Sequence, residues 1–272
     1  RWGFLLIDVL HISLWQNMRP CFNQRFHKSF LYRVAKGILK QALRTTDGLE
    51  FVKGHIMKNA VIYIHGKGGS IKEAFHYRSL FTDSDVMGFD YKARSPWEAK
   101  KEFPGYFDRT CRDYESVRIV ANSIGAFFAM SALSEMRIEK AYFISPVVNM
   151  ENLIANMMTW ANVTEEELRD KGEIDTSFGK TLSWEYLCYV REHPVHWTAP
   201  THILYGAKDN LTPLETISAF ANQIGATLTI MKNGEHRLHT EEQMRFIDDW
   251  IQRFNQTSKQ ANKVTCPELK NG

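Results

Sequence analysis

From about residue 48 onward the chain alternates strand-length apolar runs with helical stretches, and this alternation restricts the fold more than any other feature. Strands separated by helices favour a parallel sheet covered on both faces, because a parallel crossover needs a dozen or more residues and usually takes a helix. The runs predict strands at 60–65, 86–91, 116–121, 140–145, 202–205 and 227–231, with an extra edge strand near 51–57. Helices are expected near 71–81, 123–136, 214–224 and 241–254. The fold class is therefore α/β, a mostly parallel, doubly wound sheet with helices on both faces.

Two regions depart from that alternation. Residues 150–198 are far longer than one crossover requires. They contain Thr164-Glu165-Glu166-Glu167-Leu168, a capping-box helix start, together with Met157, Met158, Trp160, Phe178, Trp184, Tyr186 and Tyr189. Such an insertion above the C-terminal ends of the strands reads as a helical lid, with Met157, Trp160 and Trp184 as candidate pocket residues. The competing reading is that these side chains only pack the insertion onto the sheet. The second region is residues 1–47, a basic arm with eight Lys/Arg against two acids. The whole chain carries +3, so the remainder carries −3. Leu31, Val34, Ala35, Ile38, Leu39 and Ala42 form an apolar stripe over 28–44, which predicts an amphipathic helix. It could pack on its own domain or lie on an anionic membrane. Residues 48–258 then make up the main domain and 259–272 a polar tail.

Composition excludes several classes. A 272-residue chain with 44% hydrophobic and 24% charged residues has enough apolar material for one large core. A net charge of +3 gives no case for nucleic acid. The cysteines Cys21, Cys111, Cys188 and Cys266 are scattered without a Cys-x-x-Cys spacing. That pattern suggests neither disulfide framework nor zinc site and fits a reducing, cytoplasmic setting. The apolar run 2–15 contains Asp8 and His11, is too short to span a bilayer and makes a poor signal peptide. The Asn-x-Ser/Thr triplets at Asn162, Asn210 and Asn255 are read as coincidental.

The chemistry centres on Ala121-Asn122-Ser123-Ile124-Gly125, between a β-branched run and the apolar stretch Ala126-Phe127-Phe128-Ala129-Met130. A serine at a sharp strand-to-helix turn exposes its hydroxyl beside the unpartnered first N–H groups of the helix. A base must take its proton, and an acid must orient the base. Asp209 follows the run His202-Ile203-Leu204-Tyr205, and His236 follows the next strand within Asn233-Gly234-Glu235-His236. His239 is a rival base lying farther into the helix start, and Glu151 a minor alternative acid. Tyr63-Ile64-His65-Gly66-Lys67-Gly68-Gly69-Ser70 lacks both phosphate-loop spacings. It suits an oxyanion loop, in which the backbone N–H groups of Lys67 and Ile124 face one carbonyl oxygen. The Lys67 side chain is either simply solvated or a holder of an anionic substrate group.

On His65-Gly66-Lys67-Gly68-Gly69, Ala121-Asn122-Ser123-Ile124-Gly125, Gly206-Ala207-Lys208-Asp209 and Gly234-Glu235-His236, the chain resembles an α/β-hydrolase-fold serine hydrolase of the small bacterial esterase or lysophospholipase-like kind. The resemblance spans about residues 48–256. It implies a Ser123–His236–Asp209 triad, oxyanion donors at Lys67 and Ile124, and a lid after the strand ending near Ser145. It also implies no cofactor and no metal. Ala121 stands where that family usually has glycine, and the basic arm has no counterpart in the family core. The expected activity is hydrolysis of a small-molecule carboxylic ester. A thioester or small amide is an alternative substrate, and a non-catalytic binding protein on the same fold the rival class. Oligomeric state is open.

Overall fold

Six of the apolar runs form one parallel sheet in the computed structural model, which describes residues 59–264, with side chains as far as 255. In chain order the strands are β1 (Asn59–Ile64), β2 (Ser84–Phe89), β3 (Ser116–Asn122), β4 (Lys140–Ile144), β7 (Thr201–Gly206) and β8 (Thr227–Met231). Their spatial order is β2-β1-β3-β4-β7-β8, every pair parallel. The order reverses between β1 and β3, and the C-terminal ends of strands flanking such a reversal are where open α/β sheets bind ligands. The expected edge strand at 51–57, the amphipathic helix at 28–44 and the apolar run 2–15 lie outside the described residues.

Both faces of the central strands β1, β3, β4 and β7 are buried, which is why they read as continuous apolar runs. Ile62, Ile64, Ile119, Ala121, Phe143 and Ile203 point to one face. There they meet α2 (Pro96–Cys111) and α3 (Ile124–Ala132) through Phe103, Phe107, Phe128 and Met130. Val61, Tyr63, Val120, Tyr142 and Leu204 point to the other face. That side is covered by α1 (Ala74–Tyr77) and α8 (Glu241–Val264), the latter through Ile247, Trp250 and Ile251 at helical spacing. Burying each such large side chain contributes about 1.5–3 kcal/mol.

Helix α2 has no counterpart among the expected helices, and Pro104-Gly105 in its middle is the reason. Proline removes one intrahelical hydrogen bond and glycine costs backbone entropy. Ser95 and Glu98 offset this with a reciprocal capping box, Pro96 occupies the first turn, and Phe103, Phe107 and Cys111 bury one stripe. Helix α8 runs ten residues past its expected end at 254, to Val264. Asn255 is buried, accepting from Arg118 Nη1 (3.0 Å) and donating to the Leu80 carbonyl (3.0 Å), so it is no glycan acceptor in the folded protein.

Residues 150–198 contain α4 (Met150–Ala161), α5 (Glu165–Lys171), an antiparallel hairpin of β5 (Glu173–Asp175) and β6 (Thr181–Ser183), and α6 (Trp184–Glu192). The Thr164/Glu167 capping box forms as its spacing suggests. Arg191 on α6 holds Glu151 on α4 at 2.7 Å and Glu165 on α5 through two bonds of 2.7 and 2.8 Å, tying the three helices together. The remaining helix, α7 (Leu214–Ile224), lies between β7 and β8 in the chain.

Candidate active site

Three strand ends converge at the C-terminal rim of the sheet. At the end of β3, Ser123 adopts φ 51° and ψ −122°, a conformation that costs an L-residue on the order of 1–3 kcal/mol. Backbone bonds hold it there: Ser123 N–H donates to the Ile144 carbonyl (3.0 Å), and the Ser123 carbonyl accepts from Val147 (3.2 Å) and Ala126 (3.2 Å). Ser145, beyond β4, is also forced to positive φ (43°), with its N–H on the Leu204 carbonyl (2.8 Å). The two strained serines are thus pinned by neighbouring strand ends.

Ser123 Oγ lies 2.8 Å from His236 Nε2, and His236 Nδ1 lies 2.7 Å from Asp209 Oδ2. The Asp209 side chain is fully buried and that of His236 is 17% exposed. A buried carboxylate needs full compensation. The second oxygen, Oδ1, accepts from the N–H groups of Leu211 (2.8 Å) and Thr212 (3.2 Å). Tyr205 Oη in turn donates to the Thr212 carbonyl (2.8 Å), and burial pushes its phenol pKa upward, keeping it a donor.

The acid and histidine loops meet through two glycines. A Cβ on Gly206 would lie 2.5 Å from the Gly234 carbonyl oxygen, and Lys208 N–H donates to that same carbonyl (2.8 Å). A side chain at either glycine would force the carboxylate away from the imidazole.

The loop after β1 runs along the serine turn. A Cβ on Gly66 would be 3.2 Å from Ser123 Cβ, and one on Gly125 would be 2.4 Å from the His65 carbonyl oxygen. Neither the Lys67 nor the Ile124 N–H has a hydrogen-bond partner among the described residues. Three further groups anchor this loop. Tyr91 Oη donates to the His65 carbonyl (2.8 Å), its ring stacks on His65, and burial raises its pKa to about 12. Glu73 accepts from Ser70 N–H (3.2 Å) in a capping box and from Tyr63 Oη. Asn122, beside the serine, donates to Tyr63 Oη (2.9 Å). Burial drives the Tyr63 phenol pKa far upward, so it stays protonated.

No motif in the sequence marks this Tyr63–Glu73–Asn122 network. The Ser70-x-x-Glu73 spacing was its one visible trace. The rival His239 points elsewhere, its Nδ1 2.6 Å from the Arg237 carbonyl, and Glu151 is engaged by Arg191. Met157 and Trp184 are partly buried against the main core, whereas Trp160 is 51% exposed and meets Phe178 edge-on at 6.3 Å. Among the described residues no group of three or more His, Cys, Asp or Glu side chains could hold a metal ion.

No protein-family sequence profile matches this chain. Over 134 residues it is 23% identical to a Mycoplasma genitalium protein described as "Putative esterase/lipase 3", a stretch covering 44% of this chain and 46% of that protein. The chain thus spans less than half the length of that relative. Among solved structures it is similar to alpha/beta hydrolase domain-containing protein 10 from mouse (TM-score 0.60, 16% identity, 73% of this chain and 90% of that one). It is also similar to Est1E from Butyrivibrio proteoclasticus, solved with ferulic acid bound (TM-score 0.61, 16% identity, 75% and 91%). Likeness at such low identity speaks for architecture alone, and the strand order agrees with it: residues 59–264 have the α/β-hydrolase fold.

Proposed function

We propose that the protein is a serine hydrolase that cleaves a small-molecule carboxylic ester. The observation that carries this reading is the unbroken Ser123–His236–Asp209 hydrogen-bonded chain, with distances of 2.8 and 2.7 Å, beside two unpartnered backbone N–H groups. In the reaction, His236 Nε2 takes the Ser123 proton as Oγ attacks the ester carbonyl carbon. The carbonyl oxygen becomes an oxyanion and accepts from Lys67 and Ile124 N–H. Asp209 keeps Nδ1–H directed at itself and stabilises the imidazolium. The tetrahedral intermediate then expels the alcohol, which takes the proton from His236 and leaves an acyl-serine. Water repeats the sequence and releases the acid. Residues 150–198 act as the lid, with Trp160, Met157 and Trp184 on the substrate side or its support.

Two supports are independent of the triad geometry. The strain at Ser123 places its hydroxyl outside the helix it precedes, as an attacking group requires. The Mycoplasma genitalium protein bears an esterase/lipase name, which favours ester chemistry over other reactions of the fold. A cytoplasmic setting is part of the reading, supported by the unbonded thiols Cys111 and Cys188. No helix among the described residues is long and apolar enough to cross a membrane. The test is steady-state and rapid-mixing hydrolysis of 4-nitrophenyl esters of increasing chain length. The reading expects turnover that Ser123→Ala abolishes; turnover retained in Ser123→Ala sinks it.

A further inference from the structure

A chain of side-chain hydrogen bonds runs from the loop after β1 to the serine turn after β3. Tyr63 on β1 pairs with Val120 on β3, and Asn122 lies two residues farther along β3. Residues two apart in a strand share a face, so the Asn122 side chain stands on the Tyr63 side of the sheet. Asn122 Nδ2 donates to Tyr63 Oη (2.9 Å), and Tyr63 Oη donates to Glu73 Oε2. The other carboxylate oxygen, Glu73 Oε1, accepts from Ser70 N–H (3.2 Å). A Cβ on Gly69 would lie 3.1 and 3.2 Å from the two Glu73 oxygens, so the carboxylate sits directly against the loop. Gly69 N–H in turn closes on the Gly66 carbonyl (3.0 Å), and Lys67 lies inside that turn.

The direction of the chain is fixed. A carboxylate only accepts, so the single Tyr63 proton goes to Glu73, and Asn122 must present its NH2 group to Tyr63 Oη. Tyr63 is fully buried and its ring stacks on Tyr77 with centroids 5.1 Å apart. A phenylalanine ring would make the same stack. Burying the hydroxyl costs free energy unless it is hydrogen-bonded, and here it both donates and accepts. At the far end of the chain, Asn122 immediately precedes Ser123, whose strained φ of 51° persists only because its surroundings hold it. Ile124, with its free N–H, comes next. The two oxyanion donors therefore lie at opposite ends of one hydrogen-bonded strut.

We propose that Tyr63, Glu73 and Asn122 are positioning residues that hold the Lys67 and Ile124 N–H groups at the separation a developing oxyanion needs. They touch no substrate and act through the loop and the turn. The strut rests on the serine-hydrolase reading above and deepens it, since a side-chain chain then sets the oxyanion geometry together with the Gly66 and Gly125 contacts. Its geometry matters once charge has moved onto the carbonyl oxygen. Its loss should appear in kcat and in the binding of tetrahedral adducts, and not in KM.

The test uses the intact protein with Tyr63→Phe, Glu73→Ala and the double variant, active sites being counted with a fluorophosphonate so that unfolded protein does not enter the rates. Tyr63→Phe keeps the ring and removes the link. Its kcat on 4-nitrophenyl butyrate should fall roughly tenfold, the scale of one charge-assisted hydrogen bond, with KM within twofold of wild type. Propyl trifluoromethyl ketone gives the second readout: Ser123 Oγ bonds to its carbonyl carbon, the C=O π pair moves to oxygen, and His236 Nε2 takes the hydroxyl proton. Its inhibition constant should rise by the factor that kcat falls, a match that a general loss of stability would not produce. Glu73→Ala, at an exposed position, should behave like Tyr63→Phe. The double variant should be no slower than either single one, because each change breaks the same chain. Wild-type kcat in Tyr63→Phe, a loss confined to KM, or losses that multiply in the double variant overturn the strut while leaving the hydrolase reading intact. No turnover of any ester by the wild type, together with no labelling of Ser123, overturns both.

Discussion

Substituting Gly125 with alanine tests the closest backbone contact at the site. A Cβ there would lie 2.4 Å from the His65 carbonyl oxygen, 2.9 Å from that of Ile64 and 3.1 Å from the His65 carbonyl carbon. Real Cβ atoms essentially never come under 3.0 Å, so the first contact must open by at least 0.6 Å, the difference between 3.0 and 2.4 Å. All three atoms are backbone, so no rotamer change relieves them. The start of α3 and the end of β1 must move apart. The Ile124 N–H sits on one side of that contact and the Lys67 N–H two residues beyond the other. A shift of about 1 Å at a reacting centre costs on the order of 100-fold, and loss of one oxyanion donor costs 10²–10³. Gly125→Ala should therefore lower kcat on 4-nitrophenyl butyrate roughly 10- to 100-fold, with KM changed far less. Overpacking of this kind costs about 1–3 kcal/mol, or roughly 3–10 °C in Tm for a domain this size. The variant should still fold, as judged by circular dichroism. A kcat within twofold of wild type would refute the argument that this crossing sets the oxyanion geometry.

Two further outcomes follow from named contacts. Asp209→Asn keeps an oxygen for the Leu211 and Thr212 N–H groups but turns an amide toward His236 Nδ1, favouring the wrong tautomer; kcat should fall by about 10³–10⁴ with Tm little changed, and a tenfold or smaller loss would contradict the assigned role. His202 stacks on Phe254 at 3.9 Å, and burial, with Lys140 nearby, lowers its pKa from 6.5 to about 4. Folding therefore favours the neutral ring, so its stabilisation is present above pH 6.5 and is lost as pH falls toward 4. Urea unfolding at pH 7.0 and 4.5 should show a loss on the order of 1 kcal/mol, the shift being discounted for a half-buried ring, that His202→Phe lacks; equal pH dependence in both proteins would contradict it.

The six strands of the parallel sheet were legible, each beginning and ending within two residues of its expected bounds, because burial leaves apolar runs in the central four; the short β5–β6 hairpin, in which only Leu182 is buried, left no such run. The serine turn, Asp209 and His236 were legible for a related reason: each lies just past such a run, and short loops keep them at the rim. In the sequence His236 and His239 differ only in loop position; in the structure His236 Nε2 lies 2.8 Å from Ser123 Oγ and His239 Nδ1 lies 2.6 Å from the Arg237 carbonyl. Helix α2 was hidden by Pro104-Gly105, although Ser95-Pro96-Trp97-Glu98 carried a readable start signal. The Tyr63–Glu73–Asn122 network was not readable. It joins residues of separate elements, and no local propensity marks a tyrosine that will sit behind the loop after β1.

The most direct measurement is intact-mass and peptide-mass analysis after incubation with a fluorophosphonate. The expected result is a single adduct on Ser123, slowed by several orders of magnitude in His236→Gln and absent in Ser123→Ala. Adduct formation at another residue, or equal labelling of wild type and Ser123→Ala, would contradict the claim that His236 and Asp209 make this hydroxyl a nucleophile.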